Sequence, residues 1–117
     1  MKIYLDPGHG GSDPGASGNG LLEKDVTLAI ALKINDILLK EYAGAETRLS
    51  RTTDKTVTLQ ERTDDANSWG ADLFVSIHTN AFDGTAYGYE DYIYSGLSDE
   101  SVTALYQRII HGEVIKQ

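Results

Sequence analysis

A segment rich in glycine and proline, placed directly after the first apolar run, most constrains how this chain can fold. Both prolines and six of the twelve glycines of the 117-residue sequence lie between positions 7 and 20, in DPGHGGSDPGASGNG. Because glycine and proline interrupt regular elements, the segment predicts a long irregular loop that follows a strand at residues 3–5. A loop of this length in a small domain is typically either functional or disordered.

Two helices are predicted from apolar spacing and capping residues. Apolar side chains at helical intervals predict a helix over residues 25–42, with Asp25 as its N-cap. Thr58 and Glu61 match a capping box, which predicts a second helix that ends before Gly70.

Strands alternate with these helices along the chain. A short strand is expected over residues 46–51, and residues 73–77 form an almost continuous apolar run, typical of a central strand covered on both faces. Aromatic residues predict a further strand over 87–94, followed by a last helix from about residue 99. This order predicts a single α/β domain over residues 1–117, with a mostly parallel twisted sheet and helices on both faces.

Composition excludes several classes of partner and site. Ten Lys and Arg against eighteen Asp and Glu leave a net charge of −8, so nucleic acid is not an expected partner. No stretch is long and apolar enough for membrane insertion, and the start of the chain does not resemble a signal peptide, so we expect synthesis in the cytoplasm. Without cysteine, any metal must be held by His, Asp or Glu.

Two of the three histidines follow strands. His9 comes after the first strand and His78 after the run at 73–77, so both are expected at the carboxyl edge of the sheet, where ligands bind in open α/β folds. The loop can bring Glu23 to the same edge. Two imidazoles and one carboxylate are a ligand set of catalytic zinc. The alternative is that each histidine is a surface or packing residue, and His111 in the last helix is expected to be solvated or to interact with the helix dipole.

Other chemistries have weaker support. A phosphate cradle in the glycine-rich loop lacks the Gly-Lys-Ser/Thr ending, and Ser76 lacks a nucleophile elbow. Structural ion pairs are the expected role of Arg51 and Arg62, although Arg62 and Asn80 are also candidate substrate-binding residues.

Several motifs, in order and over essentially the whole chain, resemble one family. DPGHGGSDPGA, EKD, LSRTTD, ERTDDAN and SIHTNA are similar to those of zinc-dependent N-acetylmuramoyl-L-alanine amidases of the amidase-3 type, found in autolysins, spore mother-cell lytic amidases and phage endolysins. The resemblance implies one Zn²⁺ per chain, with His9, Glu23 and His78 as ligands. It also implies peptidoglycan as the partner and hydrolysis of the amide between N-acetylmuramic acid and L-alanine as the activity.

The resemblance further implies that residues 1–117 are about the N-terminal two-thirds of the catalytic domain. The family's catalytic glutamate lies in a later segment that this sequence does not contain, so among its own carboxylates Glu90 is the candidate to test, beside the ligand Glu23. Two hypotheses stay open: an amidase, or a catalytically silent module that binds zinc and peptidoglycan. An incomplete sheet edge would also favour self-association.

Overall fold

A computed structural model of the chain describes residues 1–80 and 88–116, which belong to two compact units, Met1–Ala81 and Phe82–Gln117. The elements of the first unit are β1 (Lys2–Pro7), β2 (Ser17–Gly18), β3 (Leu21–Leu22), α1 (Glu23–Glu41), β4 (Glu46–Leu49), α2 (Leu59–Trp69) and β5 (Leu73–Ile77). The second unit contains α3 (Val102–Ile115). No helix among the described residues is both long and apolar enough to cross a lipid bilayer.

The main sheet has three parallel strands in the order β4-β1-β5. β1 pairs on both sides, and its residues Tyr4 to Pro7 are buried, whereas β5 is only half-buried. The expectation that residues 73–77 form the central strand is therefore wrong for the described sheet. The apolar run of β5 reflects partial burial at an edge, while β1 is buried despite ending in Asp6 and Pro7.

The two helices of the first unit cover opposite faces of this sheet. Thr47 of β4 donates a hydrogen bond to Asn35 of α1. On the other face, the Tyr4 hydroxyl donates to Asp65 of α2 at 2.7 Å, and Tyr4 stacks on Phe74 of β5 with ring centroids 5.4 Å apart. Alternate residues of a strand point to opposite faces. The predicted α/β class with helices on both faces is confirmed.

The caps of α2 agree with the sequence prediction, whereas the N-cap of α1 does not. Thr58 caps α2 in a complete capping box, and Gly70 ends it in the left-handed conformation, as expected. The N-cap of α1 is Leu22 rather than Asp25, so that prediction is wrong. The helix begins earlier because the N–H groups of Glu23 and Lys24 bond to carbonyl oxygens of the preceding loop, which replace a side-chain cap.

In the second unit, α3 follows the N-cap Ser101, close to the expected start. The strand predicted over 87–94 is wrong for residues 88–94, which have no strand conformation, and residue 87 lies outside the described residues. Tyr92 is 83% exposed, and Asp91 bonds to His111 and Gln107 of α3. Asp91 of this segment thus bonds to the helix, which the aromatic residues of the segment do not reveal.

Candidate metal centre

Three side chains converge at the carboxyl edge of the sheet. His9 follows β1, Glu23 is the first residue of α1, and His78 follows β5. Each offers one ligand atom, and these three atoms lie within 4.8 Å of one another. The strand ends are held side by side because Gly8 N–H donates to the carbonyl of Ile77 at 2.9 Å. The structure thus brings together the three residues selected from the sequence.

Glu23 lies between the two imidazoles and is almost fully buried, at 6% exposure. Its Oε2 is 2.9 Å from His9 Nε2, and its Oε1 is 3.4 Å from His78 Nδ1. Burial raises the pKa of Glu23, but N–H groups of Ala16 and Thr79 donate to the two oxygens, and the imidazoles add to their effect. The net result is a pKa below the ordinary value, so Glu23 is an anion at neutral pH.

His9 is oriented by a second carboxylate. Its Nδ1 lies 2.8 Å from Oδ2 of Asp13, whose Oδ1 accepts the N–H of Gly15 at 3.1 Å. The bond to His9, followed by the bond from Gly15, lowers the pKa of Asp13. Because an ionised carboxylate only accepts hydrogen bonds, Nδ1 of His9 is the donor to Asp13, and the other ring nitrogen, Nε2, faces Glu23.

Two glycines leave the space that these ligands occupy. A Cβ on Gly15 would lie 2.5 Å from Oε2 of Glu23, and the residue has φ of +67°, which L side chains rarely adopt. A Cβ on Gly8 would lie 2.4 Å from the His78 ring. The glycine-rich composition of the loop therefore has a local cause: the backbone passes directly beside the imidazoles and the carboxylate.

The donor set fits zinc. Catalytic zinc sites use three protein ligands of the imidazole and carboxylate type and keep a further position for water or substrate. Histidine ligands in such sites generally donate their other ring nitrogen to a carboxylate, as His9 does to Asp13. His78 is half-exposed on its side chain, so the site opens toward solvent.

Arg62 is buried below this site, at 4% exposure. Its Nη1 donates to Asp6 Oδ1 at 2.7 Å, and its other bonds go to the backbone carbonyls of Pro7, His9 and Val57. This is the structural ion pair that was expected. The placement does not support Arg62 as a residue that contacts substrate.

Arg51 also bonds beneath the loop, but not as expected. Its guanidinium donates to the backbone carbonyls of Gly8, His9, Lys24 and Thr53. Among the salt bridges of the described residues none includes Arg51, so the predicted ion pair is wrong. The side chain at the end of β4 lies beneath the loop, where it shares the carbonyls of Gly8 and His9 with Thr27 and Arg62 respectively.

The remaining candidates are described by their own contacts. Ser76 donates to Asp6 Oδ2 at 2.8 Å, Asn80 is exposed after β5, and Glu90 in the second unit accepts from the Tyr92 hydroxyl. His111 bonds to Asp91 at 2.5 Å rather than being simply solvated.

Asp13 was missed by sequence reasoning. The one signal for it is that it opens a second Asp-Pro-Gly in the same loop.

The fold and the site define an α/β protein with a His–Glu–His site suited to a catalytic divalent metal. Comparison with known families agrees: the Amidase_3 family, described as N-acetylmuramoyl-L-alanine amidase, matches residues 3–117. The chain belongs to this family, as the motifs predicted.

Known proteins extend the comparison. The chain is 55% identical over 116 residues to N-acetylmuramoyl-L-alanine amidase CwlM of Bacillus licheniformis, covering 99% of this chain and 44% of the relative. It is 42% identical to the endolysin of Bacillus phage SPP1, covering 98% of this chain and 42% of the endolysin. The catalytic domain of the amidase CwlV from Bacillus (Paenibacillus) polymyxa var. colistinus matches with a TM-score of 0.68 and 38% identity, over 74% of this chain and 49% of that domain. The chain thus spans less than half the length of these relatives.

Proposed function

We propose that this chain forms the zinc-binding part of an enzyme that hydrolyses the amide between N-acetylmuramic acid and L-alanine in bacterial peptidoglycan. One observation carries the proposal: His9, Glu23 and His78 converge within 4.8 Å in a chain of the amidase family. Zinc, when bound, supplies a Lewis acid that polarises an amide carbonyl and acidifies water.

The protein residues prepare this site in three ways. The N–H groups of Ala16 and Thr79 hold the Glu23 carboxylate ionised and fixed in direction. Asp13 accepts from Nδ1 of His9, so Nε2 is the ring nitrogen that would bind a metal beside Glu23. His78 is the third ligand, and its ring is half-exposed, so substrate can reach the site from solvent.

Amide hydrolysis also needs a group that takes a proton from water and returns it to the departing amine, a contribution of about 10²–10⁴-fold. Glu90 is the first carboxylate of this chain to test, although the family resemblance does not assign it the role of the catalytic glutamate. Replacement by glutamine keeps its size and removes the base. If Glu90 serves this role, Glu90→Gln should lower turnover by that factor and leave zinc affinity unchanged.

The test of the function is bond-specific. Cleavage of this amide exposes a new N-terminal L-alanine, which is counted by end-group labelling of purified cell walls. Because the family's catalytic glutamate is not among the residues of this chain, we expect only weak release with zinc, loss of that release with a chelator, and loss in Glu23→Gln. Glu41→Gln, at the exposed end of α1, is the matched control and should keep the activity.

Release that is indifferent to the chelator and to Glu23→Gln would contradict the proposal. Zinc and wall binding without alanine release would instead identify the silent binding module. The same assay on a chain extended by the C-terminal part of a relative separates an inactive site from one that needs further residues. Self-association stays a prediction, tested by sedimentation of the same protein.

A further inference from the structure

Arg51 is a buried arginine that has no role in the proposed hydrolysis. It is 3% exposed and follows β4, outside the loop that carries His9. Its Nε donates to the His9 carbonyl at 2.9 Å, and its Nη2 donates to the carbonyls of Gly8 at 3.0 Å and Lys24 at 2.8 Å. One rigid guanidinium therefore bonds to the backbone on both sides of the metal centre.

The two sides carry different ligands. The carbonyls of Gly8 and His9 belong to the segment that presents the His9 imidazole, while Lys24 directly follows Glu23 at the start of α1. Thr27 of α1 supports the same junction, since its hydroxyl donates to the Gly8 carbonyl at 2.8 Å. The separation of these segments determines how far His9 lies from Glu23.

The backbone conformation of His9 depends on contacts with other segments of the chain. His9 has φ of 63°, which a residue with a side chain rarely adopts, and its carbonyl accepts from both Arg51 and Arg62. Gly10, with φ of +129°, leaves room for this arrangement, because a Cβ there would lie 2.7 Å from Arg51 Nε. The strained conformation persists where surrounding contacts impose it.

Stability alone is a poor account of this arrangement. Arg51 makes no salt bridge within residues 1–80 and 88–116, and a buried cation without such a partner generally stabilises a fold poorly. A planar guanidinium that donates to the carbonyls of Gly8, His9 and Lys24 can, however, fix the distance between the loop and the start of α1.

We propose that Arg51 is a positioning residue that sets the spacing of His9 and Glu23 across the metal centre. The proposal rests on the proposed zinc site and deepens it. Lysine keeps the charge but lacks the planar set of N–H donors, so Arg51→Lys should lose the hydrogen bonds that join the loop to the start of α1. Loss of residues that orient metal ligands typically weakens metal binding by about 10–100-fold, and we expect a fall in zinc affinity of this size.

The experiment measures zinc affinity of the full chain by competition with a chromophoric chelator, below the melting temperature. Two controls separate positioning from general damage. Arg48→Lys makes the same exchange on the exposed arginine of β4 that pairs with Asp65, and Tyr4→Phe removes the part-buried hydrogen bond from β1 to Asp65 of α2. Both should keep wild-type affinity. An equal loss in Tyr4→Phe, or no loss in folded Arg51→Lys, would overturn the proposal.

A milder variant covers the case in which Arg51→Lys does not fold. Thr27→Val removes the hydroxyl that bonds to Gly8 and lies 3.3 Å from Arg51 Nη2. The loss of one such hydrogen bond should weaken zinc binding by about two- to tenfold. Wild-type affinity in Thr27→Val would then overturn the proposal.

A second measurement does not need zinc. The rings of His9 and His78 lie edge to face with centroids 5.0 Å apart, so the metal-free protein should show a nuclear Overhauser effect between them. We expect Arg51→Lys to lose this signal, and its retention would overturn the positioning role. If the wild type binds no zinc, the proposed function fails, and this signal alone decides the role of Arg51.

Discussion

Replacing Gly8 by alanine tests whether His78 must occupy its observed position for zinc to bind. A Cβ on Gly8 would lie 2.4, 2.6 and 2.8 Å from Cε1, Nδ1 and Nε2 of His78. Because ordinary contacts of a Cβ are 3.4–4 Å, the imidazole has to move by about 1 Å or rotate away. The side chain of His78 is 50% exposed and has room to do so.

The size of the effect follows from these distances. Ligand distances in metal sites hold to within about 0.2 Å, so a displacement of about 1 Å removes His78 as a ligand. Loss of an outer partner alone costs about 10–100-fold in affinity, and we expect Gly8→Ala to exceed about 100-fold. The fold should persist, because φ of Gly8 lies outside the left-handed region and a compatible Gly→Ala change stabilises by about 0.4–1 kcal/mol.

The assay combines zinc titration with urea unfolding of the metal-free protein. Gly18→Ala is the matched control, because a Cβ there meets nothing within 4 Å and its φ is likewise outside the left-handed region. Both variants should unfold at or above the wild-type urea concentration, and only Gly8→Ala should lose zinc. Folded Gly8→Ala with wild-type zinc affinity would refute the reasoning.

Two further predictions concern the fold. Thr58→Ala removes the capping box of α2 and should lower the free energy of unfolding by about 0.5–2 kcal/mol in urea, with zinc affinity unchanged; an unaltered urea midpoint would count against it. Hydrogen bonds from Arg48 and then Tyr4 lower the pKa of Asp65 in the folded protein below its ordinary value. The ionised Asp65 therefore stabilises the fold above about pH 4, and this stabilisation is lost as the pH falls through the folded pKa. Asp65→Asn should therefore flatten the acid limb of a stability–pH profile, and a limb of wild-type slope would show that other carboxylates dominate.

Local signals predicted the elements whose causes are local. The capping box at Thr58 and the stop at Gly70 depend on neighbours in sequence, and both were found as expected. The edge position of His9 and His78 also followed, because parallel strands bring their carboxyl ends together. The site could thus be located from residue types and strand order alone.

Features that depend on distant partners were predicted poorly. The start of α1 depends on loop carbonyls rather than on Asp25, and β1 becomes central through pairing with two strands that are far away in sequence. The role of Arg51 depends on where the loop directs its carbonyls, which no spacing reveals. Asp13 orients His9 across a turn whose geometry is set by glycine and proline, so neither helical nor strand periodicity applies.

The most direct measurement of the central claim is the zinc content of the purified chain and two histidine variants, after removal of free metal. Three ligands at one edge predict about one equivalent of zinc per chain in the wild type. The same content is expected in His111→Ala, because the wild-type His111 ring bonds to Asp91 in the second unit and is not one of the three ligands. His78→Ala should lose the metal, because His9 and Glu23 alone make a poor site. Full zinc occupancy in His78→Ala would contradict the account.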